Sequence, residues 1–289
     1  MNQQQGTRGT VTTVWRYPVK SMLGEELTAS GADERGLLGD RAYALIDSAT
    51  GNVVSAKNPR KWPNLFAFHA AFIDAPRNGA PVGAVRVTLP DGRTVSTDQP
   101  EINETLSTAL GRAVTVAKSA PSTPSLEEYW PDIDGLAHRE TVTDESIAAS
   151  SPPGTFFDFA AVHVLTTATL DRLRTLYPQG RFDVRRFRPN IVIDTATTPD
   201  GFPEKAWVGH TLAIGDSVRL SVKIPCPRCV MTTLAQEDLP RDLGILRTAA
   251  QHTGHFDVPG NGTLAALVGV YATVERGGSI RRGDSVRMV

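Results

Sequence analysis

The hexapeptide Gly215-Asp216-Ser217-Val218-Arg219-Leu220 returns almost unchanged as Gly283-Asp284-Ser285-Val286-Arg287-Met288. In each copy Gly-Asp opens a turn, and the following residues alternate polar with apolar, the period of a half-buried strand. Two such corners predict two equivalent turn-and-strand units of one β-barrel rather than a repeat array. The rest of the chain agrees. Residues 10–17, 42–47, 66–72, 85–89, 94–96, 191–194 and 267–274 are β-type segments, rich in β-branched or aromatic residues. Turn signals at 36–41, 50–52, 91–92 and 277–278 separate them. With 25 Gly and 20 Pro in 289 residues, the composition suits a loop-rich protein of many short strands.

Helices are expected in three places. Residues 101–110 are capped by Gly111, a second helix runs from Thr166 or Thr167 to Tyr177, and residues 235–251 contain a third. Between 119 and 154 the chain turns to Pro, Ser, Asp and Glu with weak periodicity. We expect the domain boundary there, with a long ordered loop around Tyr129-Trp130. The predicted fold class is mainly β with peripheral helices (α+β), as two β-barrel domains over residues 8–120 and 125–289.

A net charge of −1 gives no global field for nucleic acid or acidic membranes. The N-terminus lacks the apolar core of a signal peptide, no run approaches membrane-spanning length, and two cysteines make no disulfide framework. The expected location is cytoplasmic, without membrane or nucleic-acid partners.

Both cysteines fall in Cys226-Pro227-Arg228-Cys229, after the alternating run 215–224. Pro225 and Pro227 are expected to break that strand and leave the thiols on a stiff loop. The spacing admits four meanings. A structural zinc site needs two more ligands, and the only close histidines are His252 and His255. A redox pair needs a helix N-terminus to lower one thiol pKa, whereas residues 230–234 read as a strand. The pair is equally compatible with two small buried hydrophobes. The fourth meaning is a thiolate on a soft or high-valent metal within an organic cofactor, with Arg228 for its charge.

Other stretches suit anions. Lys20-Ser21 follows Tyr17-Pro18-Val19 on a turn that suits a phosphate or carboxylate, or merely holds a solvated lysine. Arg41 follows Gly39-Asp40 at a strand start, pointing into a cleft or pairing with Asp40 on the surface. Thr166 and Thr167 mark a helix N-terminus, a ready anion site. Residues 181–190 hold the densest basic run; one or two of its arginines facing a buried anion is a more economical reading than nucleic-acid binding.

Together these pieces resemble the MOSC family, named for the molybdenum cofactor sulfurase C-terminal domain, with its N-terminal β-barrel partner. The resemblance is closest to the two-domain branch that includes the mitochondrial amidoxime-reducing component and its bacterial relatives. It is carried by Tyr17-Pro18-Val19-Lys20-Ser21, Gly39-Asp40-Arg41, Asp158 with His163-Val164-Leu165-Thr166-Thr167, Phe187-Arg188-Pro189-Asn190, and Cys226-Pro227-Arg228-Cys229 with Thr232-Thr233. It implies a molybdenum–molybdopterin cofactor ligated by Cys229, the catalytic centre. Lys20, Ser21, Arg41, Asp158, Thr166, Thr167, Arg188, Asn190, Cys226 and Arg228 would surround that cofactor. The implied activity is reduction of N-hydroxylated substrates, such as amidoximes and hydroxylamines, by oxygen-atom transfer. The implied alternative is a cofactor carrier or sulfur-carrier module. No residue is clearly placed as a proton donor: His163 and Asp158 are the candidates, against the alternative of buried structural roles at a strand end.

Three departures qualify the resemblance. Pro227 replaces the family's usual Ser, and residues 234–240 replace a Val-Asp-Pro run, in a loop expected to border the substrate opening. The membrane anchor of mitochondrial relatives and the ferredoxin module of some bacterial ones are missing. Electrons are therefore expected from a separate partner: a ferredoxin, a flavoprotein reductase or a cytochrome b5-like protein.

Overall fold

A computed structural model describes residues 8–148, 151–196, 201–258 and 262–289, to which all structural statements refer. Its centre is a closed seven-stranded barrel. Around the barrel, Ile191–Thr195 lies beside Val162–Thr166, then Leu267–Arg276, Val218–Pro227, Thr211–Ile214 and Ser285–Met288. The N-terminal strand Arg8–Arg16 closes the ring, antiparallel to both Ser285–Met288 and Ile191–Thr195. The first strand of the chain therefore completes a barrel built from its C-terminal half. Inside, Val14, Val164, Ile193, Leu220, Val270 and Ala272 are almost sealed from water. Each larger side chain so buried stabilises the fold by roughly 1.5–3 kcal/mol.

The repeated hexapeptides meet as predicted. Thr211–Ile214 pairs with Val218–Pro227 on one side and Ser285–Met288 on the other, and the Gly215 N–H donates to the Ser285 carbonyl at 2.9 Å. Gly215 turns with φ +52°, and a Cβ there would approach the Asp284 carboxylate at 3.2 Å. Glycine fits both the dihedral and the approach.

The prolines do not end the cysteine strand. Pro225 opposes Val270 and Pro227 opposes Leu267, and the register shifts between them. The long partner Leu267–Arg276 carries the strand past residues that cannot donate, because the irregularity places them where no ladder N–H is required.

The N-terminal unit comprises small sheets packed on a second core. Ala44–Asp47 pairs with Val114–Ala117, and His69–Phe72, Val85–Thr88 and Thr94–Ser96 form a meander. Helix α1, Ile102–Leu110, buries Ile102 and Leu106, and Gly111 ends it with φ +66°. Val19, Tyr43 and Phe68 pack in this core with Val230, Met231 and Leu234 from beyond the cysteines. Each unit thus contributes to the other's core.

The polar stretch expected as a loop is instead a hairpin, Ser125–Trp130 against Thr141–Ser146. Its Ser, Asp and Glu content reflects a strand pair with one solvated face, not absence of structure. Three further helices flank the barrel: α2 (Thr167–Leu176), the single turn α3 (Val184–Phe187) and α4 (Gly244–His252).

Candidate cofactor site

A cavity of about 360 Å³ opens at the seam of the two units. Seven of the residues singled out from sequence line it: Lys20, Ser21, Arg41, Asp158, Arg188, Arg228 and Cys229. Local backbone geometry delivers several of them. Ser21, Arg41 and Arg188 all hold left-handed conformations, with φ +64°, +47° and +52°. Such turns are unfavourable for side-chain-bearing residues, and tolerating three of them is typical of functional sites.

The cations are arranged around Tyr17. The guanidinium of Arg188 sits 4.2 Å from its ring centroid and that of Arg41 4.9 Å. Arg41 pairs with Asp40, which also accepts the Tyr17 N–H at 2.8 Å and the Asn190 amide at 2.9 Å. Arg188 is buried, donates to the Met22 carbonyl at 2.7 Å, and has no carboxylate partner among the described residues. Burial pushes its pKa down to about 10, against the pull of Tyr17. Arg228 donates to the Phe187 carbonyl at 2.8 Å and approaches the Cys226 sulfur at 2.7 Å. It too lacks a carboxylate, and its Nε is sealed from solvent without a partner.

A second wall carries alternating charges. Lys20 donates to the Phe156 carbonyl at 2.7 Å and to Asp158 at 2.5 Å. The other Asp158 oxygen lies 3.6 Å from Lys57, which pairs with Glu128 at 2.9 Å. Burial opposes the charge on Asp158, yet Lys20 and Lys57 hold its carboxyl far below the usual range. Burial also opposes the charge on Lys57, but Asp158 and Glu128 outweigh it and keep the ammonium. Neither Lys57 nor Glu128 was singled out from sequence. The one available signal was strand alternation: Glu128 shares a face with buried Leu126, an odd position for a carboxylate.

The two thiols have unlike surroundings. Cys226 is fully buried behind Arg228, while Cys229 is half-buried on the cavity wall. Burial, reinforced by Glu128, pushes the Cys229 thiol up to about 11. Residues 230–233, expected as a strand, form a 3-10 turn with Cys229 as its N-terminal cap. The hydroxyls explain it: Thr232 donates to the Cys229 carbonyl at 3.0 Å and Thr233 to that of Val230 at 2.8 Å, closing the chain on itself. The raised thiol pKa is the reverse of what a reactive dithiol needs. Among the described residues no group of three or more His, Cys, Asp or Glu is placed to hold a metal. A metal at Cys229 would have to bring its remaining ligands with it.

Four of the candidates do not line the cavity. Thr166 caps α2 through the Thr169 N–H and donates to buried Glu204 at 2.7 Å. Thr167 donates to Asp194 on the outside. Asn190 is a brace, accepting the His163 N–H at 3.0 Å while holding Asp40. Cys226 stands behind the wall. His163 reaches the cavity, but burial and Arg228 push its pKa down to about 3, and its Nε2 faces the Val268 carbonyl at 3.2 Å. The loop 234–240 does not border this cavity. Arg181 and Arg185 pin it through Asp238 and Glu237, and Arg186 binds the carbonyls of Thr232, Leu234 and Pro240. Most of the basic run is thus spent on one loop, and only Arg188 turns inward.

Residues 8–123 match the MOSC N-terminal beta barrel domain and residues 152–287 the MOSC domain. Mitochondrial amidoxime reducing component 2 of Homo sapiens is 28% identical, the match covering 97% of this chain and 84% of that protein. The protein of the same name from Rattus norvegicus is 24% identical over equal shares. The crystal structure of the YUAD protein from Bacillus subtilis superposes with a TM-score of 0.47 at 10% identity, covering 98% of this chain and 97% of that one. With both of its domains matched in order along nearly all of its length, the chain belongs to the MOSC family.

Proposed function

We propose that the chain is a molybdenum-cofactor oxidoreductase that reduces N-hydroxylated compounds, with Cys229 as the protein's ligand to the metal. The observation that carries this reading is a wall of buried arginines without direct ion pairs. Arg188 has no carboxylate within salt-bridge distance among the described residues, and the Nε of Arg228 is sealed without an acceptor, in the cavity that Cys229 faces. A buried guanidinium without a direct ion pair is costly, so the site fits an anionic ligand rather than water alone. A phosphate-bearing pterin dithiolene meets that need and brings the sulfur ligands that the protein lacks. The relatives' name, amidoxime reducing component, supports the substrate class.

When bound, the cofactor supplies two-electron oxygen-atom-transfer chemistry. The protein's part is to hold and shield it. Cys229 would hold the metal as a thiolate, and its raised pKa means the metal would have to favour that deprotonated form. Arg41, Arg188 and Arg228, with Lys20 and Ser21, form the cradle for phosphate and pterin. Asp40 and Asn190 fix Arg41 and Tyr17 from behind. His163 is neutral and occupied by a carbonyl, and Asp158 is ionised between lysines, so neither is a proton donor at neutral pH. Lys57 keeps a proton at the cavity wall. Electrons would come from an electron-transfer partner, such as a ferredoxin, a flavoprotein reductase or a cytochrome b5-like protein.

The test is turnover. Protein purified from a cofactor-competent host should reduce benzamidoxime to benzamidine with an artificial electron donor. Rapid transfer of its cofactor to an apo-molybdoenzyme, with no such turnover, would favour the carrier reading instead.

A further inference from the structure

Part of the cavity wall is built from a segment that neither family match covers. The matches end at 123 and resume at 152. The hairpin between them, Ser125–Trp130 with Thr141–Ser146, contributes Glu128, Trp130, Glu145 and Ser146 to the lining, and Ile147 follows directly. The arginines that the reading above assigns to the cofactor come from other segments, so the hairpin is a separate part of the lining.

Its side chains are fixed before any ligand arrives. Glu128 lies opposite Thr143, and Trp130 lies opposite Thr141. The Trp130 indole N–H donates to the Thr143 hydroxyl at 2.8 Å, and that hydroxyl donates to Glu145 Oε1 at 2.6 Å. One carboxylate oxygen of Glu145 is thus anchored by a chain that starts at the indole ring. Glu145 has no ion-pair partner among the described residues, unlike Glu128, which Lys57 neutralises. Phe159 and Leu264 line the cavity as apolar surface. An oriented carboxylate linked through Thr143 to a half-exposed indole attracts a flat or apolar-flanked cation by charge and by the ring quadrupole together.

We infer that the 125–146 hairpin is the specificity wall, and that it selects N-oxygenated substrates that carry a positive charge on a planar group. This rests on the function proposed above but reads a different part of the cavity. Glu145 and Trp130 bind that cationic group. An anionic substrate is disfavoured at the same place.

Benzamidinium and its neutral isostere benzamide test this without turnover. Calorimetric titration of each into the purified protein, with molybdenum content measured on the same sample, reads the charge preference directly. Benzamidinium should bind about tenfold more tightly than benzamide, and added salt should narrow the gap. Glu145→Gln keeps the acceptor for Thr143 and should abolish the preference while leaving molybdenum content and thermal midpoint unchanged. Trp130→Phe should weaken benzamidinium several-fold. Equal binding of the two probes to the unaltered protein, or a preference that survives Glu145→Gln, would overturn the inference. Turnover of benzamidoxime without a charge preference would sink the wall and spare the reductase. A Glu145-dependent preference in a protein with neither molybdenum nor turnover would do the reverse.

Discussion

At the scale of single residues the site is governed by charges that the protein leaves unbalanced. Arg228→Met removes a guanidinium with a stranded Nε, and hydrophobic replacements of buried charges are often close to neutral. We expect the cofactor-free protein to change by no more than about 1 kcal/mol in denaturant unfolding, while retention of molybdenum collapses. A loss of several kcal/mol with cofactor retained would make Arg228 a structural residue. His163 gives a prediction about pH. Its folded pKa lies near 3 against an ordinary 6.5, so the unfolded chain takes a proton that the folded one refuses. Stability should be intact above about 6.5 and fall as pH drops towards 3, by at most ~1.4 kcal/mol per pH unit. The measurement is the difference in denaturation midpoint between the unaltered protein and His163→Gln across pH 7 to 4. The variant should be less sensitive to acid, and parallel curves would contradict the assignment. Legibility at this scale followed sequence distance. Lys20, Arg41 and Cys229 each stand in a short motif, whereas Lys57 and Glu128 lie far apart in the chain and acquire meaning only through each other.

At the scale of elements, what can be read from a sequence is what local chemistry fixes. Thr166 capping α2, Gly111 ending α1 and the twin Gly-Asp corners each depend on a few neighbouring residues, and each forms as the sequence predicts. The failures have a common cause. The strand through Pro225 and Pro227 persists because of a distant partner, and the hairpin at 125–146 hid behind a solvated composition. The 3-10 turn after Cys229 arises from threonine hydroxyls rather than from any propensity of β-branched residues. Gly269 shows how tightly one element constrains another. Its φ is +80°, and a Cβ would meet His163 Nε2 at 2.2 Å and the Val164 carbonyl at 2.6 Å. Gly269→Ala should cost roughly 2–4 kcal/mol, read as a lower thermal or denaturant midpoint. An unchanged midpoint would mean that the contact between these barrel strands is looser than described.

At the scale of the molecule, the exchange of segments makes the two units interdependent. The barrel is closed by Arg8–Arg16, and the N-terminal core is completed by Val230, Met231 and Leu234. A fragment of residues 125–289 should therefore lack cooperative unfolding, since its barrel has two open edges and a missing strand. A fragment with a sharp two-state transition would show that the exchange is decorative. The same interdependence explains why the cavity sits where it does: its lysines and its thiol come from different units, held together by shared cores. Among the described residues no helix is long and apolar enough to cross a membrane.

The central claim is that one thiol, Cys229, joins a molybdenum cofactor to a cationic cradle. Elemental analysis of three proteins from a cofactor-competent host, the unaltered chain, Cys229→Ser and Cys226→Ser, tests it directly. Molybdenum should be near one per chain in the first, mostly lost from Cys229→Ser, and largely kept by Cys226→Ser. Full zinc with no molybdenum in the unaltered chain would contradict it. So would equal loss of activity in both variants with metal content unchanged, the signature of a dithiol that works by exchange between its two sulfurs.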